Sequence, residues 1–262
     1  MSTNTTKQPK SVSWEAKEAH DKIVNAVDAC GSGGTESGPR EIVSASRDGQ
    51  AKIWDIREHK PIVVLKQTAT KADCWASAFG NSFNGTDRCV VTGYDNGEVK
   101  MLDLRSMRIR WETQLPSGVC HLSFDRKDIQ MNKLMASCLD GFLHVFDVRT
   151  YHPQSGFANY SHKVTNSTIW GCHPIPHDRE TMGATTGDGS IYIFKYRYPF
   201  ERKIMDSNGL EIGVAGDLEE LTSPEKLTSQ PIVAFDWSGC KKGLCACVSL
   251  DETVRVIYCL GI

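Results

Sequence analysis

An all-β chain built from one repeated sheet motif is what this sequence predicts, and three observations predict it. The stretch Ile42 to Arg57, IVSASRDGQAKIWDIR, alternates apolar and small residues up to Ser46, turns at Arg47-Asp48-Gly49, and alternates again to Trp54. Period-two alternation around an Asp-Gly turn reads as two paired, half-buried strands. The turn then recurs: Asp48 aligns with Asn96, Asp140, Asp188 and Asp251, each followed six residues later by Trp54, Leu102, Phe146, Phe194 or Ile257. These turn residues lie 48, 44, 48 and 63 residues apart, and the first three intervals are near the roughly 40 to 45 residues of a WD-type propeller blade.

The elements follow in order. Residues 1 to 16 are polar, with only Val12 and Trp14 able to pack, and read as a flexible N-terminal tail; the propeller occupies 17 to 262. Ile23 to Val27 is the first innermost strand, and Gly31 to Pro39 is a Gly- and Ser-rich loop. Later inner strands are expected at Cys74 to Phe79, Val119 to Phe124, Ser167 to Cys172 and Ile232 to Trp237. Outer strands are expected at Pro61 to Leu65, Arg108 to Leu115, Gly156 to Tyr160 and Gly213 to Leu221. The long last interval carries an insertion, Lys203 to Thr228, placed outside the blade core. Four complete blades and three strands of a fifth result.

A formal net charge of −2 over 262 residues gives no general attraction to nucleic acid or anionic lipid. No run of about 18 apolar residues is present to span a bilayer, and the N-terminus lacks the apolar core of a secretory signal. The cytoplasm is the expected location. The ten cysteines are spread along the strands, which suits reduced, buried thiols. Neither Cys172-His173 with His177 nor Cys240 with Cys245 and Cys247 has zinc-site spacing, so no metal or other cofactor is expected. Phosphate-loop, nucleophile-elbow and H-E-x-x-H patterns are all missing, which argues against an enzyme.

Two residue sets stand out. His20, Ser46, Asp48 and Trp54 occupy the positions at which a blade holds its turn by buried hydrogen bonds, and His162, Thr186 and Asp188 form a partial second set with Phe194 in place of the indole. A catalytic triad is the weaker reading, because no oxyanion-hole motif accompanies them. Arg57, Arg105 and Arg149 each follow an apolar-Asp-apolar run and would line one rim. They either pair with nearby carboxylates or meet a partner. The whole stretch Ile42 to Arg57 is similar to the box by which substrate receptors of cullin-based ubiquitin ligases contact their adaptor, which makes such a receptor the alternative function.

Segments outside the repeat positions are more specific. They include Asp73-Cys74-Trp75 through Asn81, Gly93 to Gly97, Arg110 to Thr113, Phe124 to Ile129, Met131 to Leu134, His144 to Asp147, YRYPFER from Tyr196 to Arg202, Gly213 to Gly216, and Gln230-Pro231-Ile232 leading to Asp236-Trp237-Ser238. In these the chain resembles the Monad family of WD-repeat axonemal dynein assembly factors. The resemblance implies a seven-bladed propeller entered here at its third blade, without the first two blades and the closing strand. It also implies a non-catalytic cytoplasmic scaffold linked to RuvB-like ATPases, prefoldin-like co-chaperone subunits and dynein chains, with connections to cilia and apoptosis.

Overall fold

The computed structural model describes residues 14–30, 41–58, 60–66, 71–82, 87–127, 129–222 and 225–262. Among these residues there is no helix. The Ile42 to Arg57 stretch supplies the two middle strands of an antiparallel sheet ordered β1 (Val24–Ala29), β2 (Glu41–Ser46), β3 (Gln50–Asp55) and β4 (Pro61–Lys66). The same order returns in β5 (Cys74–Gly80), β6 (Cys89–Tyr94), β7 (Glu98–Asp103) and β8 (Arg108–Gln114). It returns again in β9 (Val119–Phe124), β10 (Lys133–Cys138), β11 (Phe142–His152) and β12 (Gly156–Lys163).

The fourth blade begins with β13 (Ile169–Pro174), β14 (Thr181–Thr186) and β15 (Ser190–Arg197). The chain then departs into a two-stranded sheet, β16 (Lys203–Met205) with β17 (Glu211–Gly213), before β18 (Asp217–Glu220) returns as the outer strand. A short β19 (Glu225–Lys226) pairs with the start of β15. The fifth sheet has three strands, β20 (Ile232–Trp237), β21 (Leu244–Ser249) and β22 (Val254–Tyr258). The arrangement is a five-blade β-propeller with four complete blades and three strands of a fifth.

The insertion is therefore only partly an excursion. Its hairpin folds back on the third blade, where Gly213 abuts Thr150 and Ala158 and His152 Nε2 lies 3.4 Å from Asp206, while Asp217–Glu220 joins the fourth sheet. Of the expected tail, residues 1 to 13 lie outside the described residues, as does the loop at Gly31 to Pro39. Trp14 packs its ring edge-on against Trp54 at 5.9 Å and donates from Nε1 to the Glu58 carbonyl at 3.0 Å.

Each sheet is apolar on both faces, so the cores form between successive blades. Val43, Ala45 and Ile53 of the first blade meet Cys74, Phe79 and Val90 of the second, and Val91 and Met101 meet Leu122 and Leu134 of the third. Met135 and Val145 meet Ile169 and Met182, and Ile191 and Ile193 meet Phe235 and Cys247. Each buried Val, Leu, Ile, Phe or Met among them contributes about 1.5 to 3 kcal/mol. Middle strands lie between two such cores, which explains why β6, β10 and β14 are buried at every position while the outer β4 and β12 alternate.

All five turns share one device. The side-chain oxygen of Asp48, Asn96, Asp140, Asp188 or Asp251 accepts the N–H two residues on, at 2.9 to 3.3 Å. The next residue is glycine with φ between 78° and 90° in four turns, but Glu252 with φ 65° in the fifth. Only glycine adopts this region without strain.

The inner strands share a second device. A register shift in each leaves Asn25, Trp75, Cys120, Trp170 and Val233 without a cross-strand partner. Such bulges re-aim a side chain, and all five residues line one axial cavity.

Gly141→Ala should lower stability by about 1 to 3 kcal/mol, because a Cβ there collides with the Thr165 carbonyl oxygen. Glu252→Gly should instead raise it, by up to about 1 kcal/mol, through relief of left-handed strain at an exposed turn. Urea midpoints of the two variants, which must move in opposite directions, check both.

Candidate functional site

The first hydrogen-bonded set is built around Ser44 rather than Ser46. His20 Nδ1 lies 2.9 Å from Asp48 Oδ2 and Nε2 lies 2.8 Å from Ser44 Oγ, which also accepts Trp54 Nε1–H at 2.9 Å. Register is the reason. Trp54 stands opposite Ile42, so its indole reaches diagonally to Ser44, whereas Ser46 lies at the turn, accepts Asp48 N–H and donates to the Lys22 carbonyl. Burial alone would raise the Asp48 carboxyl, but hydrogen bonds from Gln50 N–H, His20 and Asp21 N–H outweigh it and hold the group below its ordinary value. The His20 and Asp48 side chains are 1% and 5% exposed, so this constellation is closed to substrates.

The partial second set also changes membership. Thr186 Oγ1 donates to Asp188 Oδ1 at 2.5 Å, and the other carboxylate oxygen accepts from Thr165 Oγ1 at 3.0 Å. His162 is absent from it because it sits on β12, opposite Leu143, and packs edge-on against Phe194 at 5.4 Å.

Arg57, Arg105 and Arg149 do share a position, since their N–H groups donate to Asp55, Asp103 and Asp147 at 2.9, 2.8 and 3.1 Å. Their side chains differ. Arg57 folds back onto Asp55 through Nε at 2.9 Å, while Asp147 is taken by Arg202 at 2.6 and 2.9 Å, and Arg105 and Arg149 are exposed.

The partner of Asp147 belongs to a buried ionic cluster that repeat alignment misses. Lys133, 0% exposed, donates to the Tyr198 hydroxyl at 2.5 Å and lies 3.6 Å from Asp125, which also accepts two bonds from Arg179 at 2.9 and 3.0 Å. Arg202 donates to Asn132 Oδ1 at 2.9 Å and stacks over the Tyr198 ring. Burial pushes the Lys133 amine below its usual range, against the pull of Asp125. The cluster fixes both ends of Tyr198 to Arg202 and presents Phe200 fully exposed between them. The only signal in the sequence was YRYPFER, a segment that no blade position explains.

The axial cavity encloses about 1100 Å³. Besides the five bulge residues, Arg47, Ser77, His121, Ser123, His173 and Asp236 line it. The His121 and His173 ring centroids lie 4.7 Å apart with the rings tilted by 36°, and Cys172 N–H donates to His121 Nδ1 at 3.3 Å. Burial lowers His121 to about 4, and burial followed by repulsion from His121 lowers His173 to about 3.

A family model described as "WD domain, G-beta repeat" matches residues 14–55. The chain is 48% identical over 243 residues to "Dynein axonemal assembly factor 10" of Chlamydomonas reinhardtii, covering 91% of this chain and 68% of that protein. It is 48% identical over 243 residues to the human protein of the same name, covering 92% and 68%. The Dictyostelium discoideum protein of that name is 24% identical over 263 residues, with 93% and 64% covered. Among solved structures, the computationally designed protein Ika8 is similar in fold, with a TM-score of 0.60 at 18% identity; the match covers 92% of this chain and 59% of that one.

Ser44→Ala should cost about 1 to 3 kcal/mol in chemical denaturation, because it strands the Trp54 N–H and the His20 ring in a buried site. The paired cavity histidines give a pH signature. Unfolded histidine binds its proton near 6.5, the folded rings only near 4 and 3, so their contribution is complete above about pH 6.5 and declines as pH falls toward 4. Stability should fall there by up to about 1.4 kcal/mol per pH unit for each ring. His121→Gln should remove one proton's worth of that slope between pH 6.5 and 4.5; an unchanged slope would contradict the assignment.

Proposed function

The chain belongs to the dynein axonemal assembly factor 10 family, and from that premise we propose that it is a non-catalytic WD-repeat scaffold for axonemal dynein preassembly. The observation that carries this reading is identity near one half over nine-tenths of the chain. The supporting chemistry is that of a scaffold: among the described residues, the His20–Asp48–Ser44 constellation is sealed from solvent, and the buried ionic cluster fixes a surface loop. Its setting in this reading is the cytoplasm, alongside RuvB-like ATPases, prefoldin-like co-chaperone subunits and dynein chains.

Affinity purification from ciliated cells, with this chain as bait and a Gly141→Ala chain as a destabilised control, tests the proposal. RuvB-like ATPases, prefoldin-like subunits or dynein chains should be recovered with the intact chain in excess of the control. A folded bait that retains none of them overturns the scaffold reading. Recovery of a cullin adaptor, abolished by Arg57→Ala with Arg105→Ala, would replace it with the ligase-receptor reading.

A further inference from the structure

We propose that Cys245 and Cys259 are a peroxide-oxidisable thiol pair, in which the Cys259 sulfur attacks the peroxide and Cys245 closes the product to a disulfide within the fifth blade. The inference stands on the geometry of β21 and β22 and is independent of the scaffold role.

Register brings the two residues together. Leu244 pairs with Tyr258 and Cys245 with Ile257, and one step further Cys259 N–H donates to the Gly243 carbonyl at 2.8 Å. Because side chains alternate across a strand, Cys245, Ile257 and Cys259 share one face, and that face packs with Ile191 and Ile193 of the fourth blade. Gly243, which faces Cys259, has no side chain to fill the place beside it. The Cys245 thiol has two acceptors in reach, the Ile257 carbonyl at 3.7 Å and the Cys259 sulfur.

Surroundings give the two sulfurs different tasks. Cys245 is buried, whereas Cys259 is half-buried at the end of the edge strand, so peroxide reaches Cys259 first. The hydrogen bond from Cys245 favours the Cys259 thiolate and holds that thiol below its ordinary value, while the same bond and burial push Cys245 up. The thiolate is the nucleophilic form. Elsewhere burial pushes Cys74, Cys89, Cys120 and Cys172 up to about 12, which keeps them as unreactive thiols.

The Cys259 thiolate attacks one peroxide oxygen, the O–O bond breaks, and the hydroxide released takes up a proton and leaves as water. Cys245 then attacks the sulfenic sulfur of Cys259. The S–S bond forms as the S–O bond breaks, and the second water departs with the Cys245 proton. Two thiols thereby lose two electrons to one peroxide. Among the described residues β22 is held in its sheet through β21 alone, so the new bond pins the C-terminal end of an edge strand to its neighbour.

Peroxide titration of the purified full chain, read by differential alkylation and tryptic mass spectrometry, tests this. Cleavage after Lys242 and Arg255 separates Gly243 to Arg255, which holds Cys245 and Cys247, from Val256 to Ile262, which holds Cys259. The two peptides should appear joined in a species that reduction separates. The Cys259 thiol should be lost at least about tenfold faster than the buried Cys89 and Cys172 thiols. Cys247→Ser should leave the link intact, whereas Cys245→Ser should abolish it and leave Cys259 as a sulfenic acid that dimedone traps. Free Cys245 and Cys259 thiols at peroxide levels that oxidise the exposed Cys240 overturn the proposal, as does a wild-type link from Cys259 to Cys247 or Cys240.

Discussion

A small antiparallel sheet that is apolar on both faces has no stability alone, and every other feature of this chain depends on meeting that constraint. The solution is to set each sheet against the next, so that four cores lie between five blades. Stability in such a stack is close to a sum of blade terms and nearest-neighbour interfaces. The places the cores do not use are the rims, the long connection after β15 and the axis.

Two of those places carry chemistry that packing would not select. Burying the Lys133 ammonium beside Asp125 costs several kcal/mol of desolvation, recovered only if the surrounding hydrogen bonds are complete. Here Tyr198, Arg179 and Asn132 complete much of the set. The outcome is a surface loop held at both ends by a rigid polar plug, with Phe200 exposed between them. At the axis, the bulges at Asn25, Trp75, Cys120, Trp170 and Val233 set one side chain of each inner strand against a common cavity.

Much of the fold was legible in the sequence, because period-two alternation and the Asp-Gly turn report local geometry. The turn residues Asp48, Asn96, Asp140, Asp188 and Asp251 all keep the same hydrogen bond. What stayed hidden depends on register and distance. Ser44 and Ser46 share a strand face and differ only in which residue stands opposite, so alignment by turn position selected the wrong serine. His162 matched a blade pattern by spacing, yet belongs to the preceding outer strand. The ionic cluster joins Asp125, Lys133, Arg179 and Arg202, partners up to 70 residues apart in the case of Asn132 and Arg202, and no local pattern announces it. Bulges leave no compositional trace, so Trp75 and Trp170 read as ordinary strand residues.

The hairpin of β16 and β17 has a mechanical consequence. It leaves the fourth blade but rests on the third, through Gly213 against Thr150 and Ala158, Asp206 beside His152, and Arg202 on Asp147. The angle between these two blades is thereby braced from outside as well as glued from within. A load applied along the rim would be absorbed by the other blade joints, and the third and fourth blades would turn as a single stiff wedge.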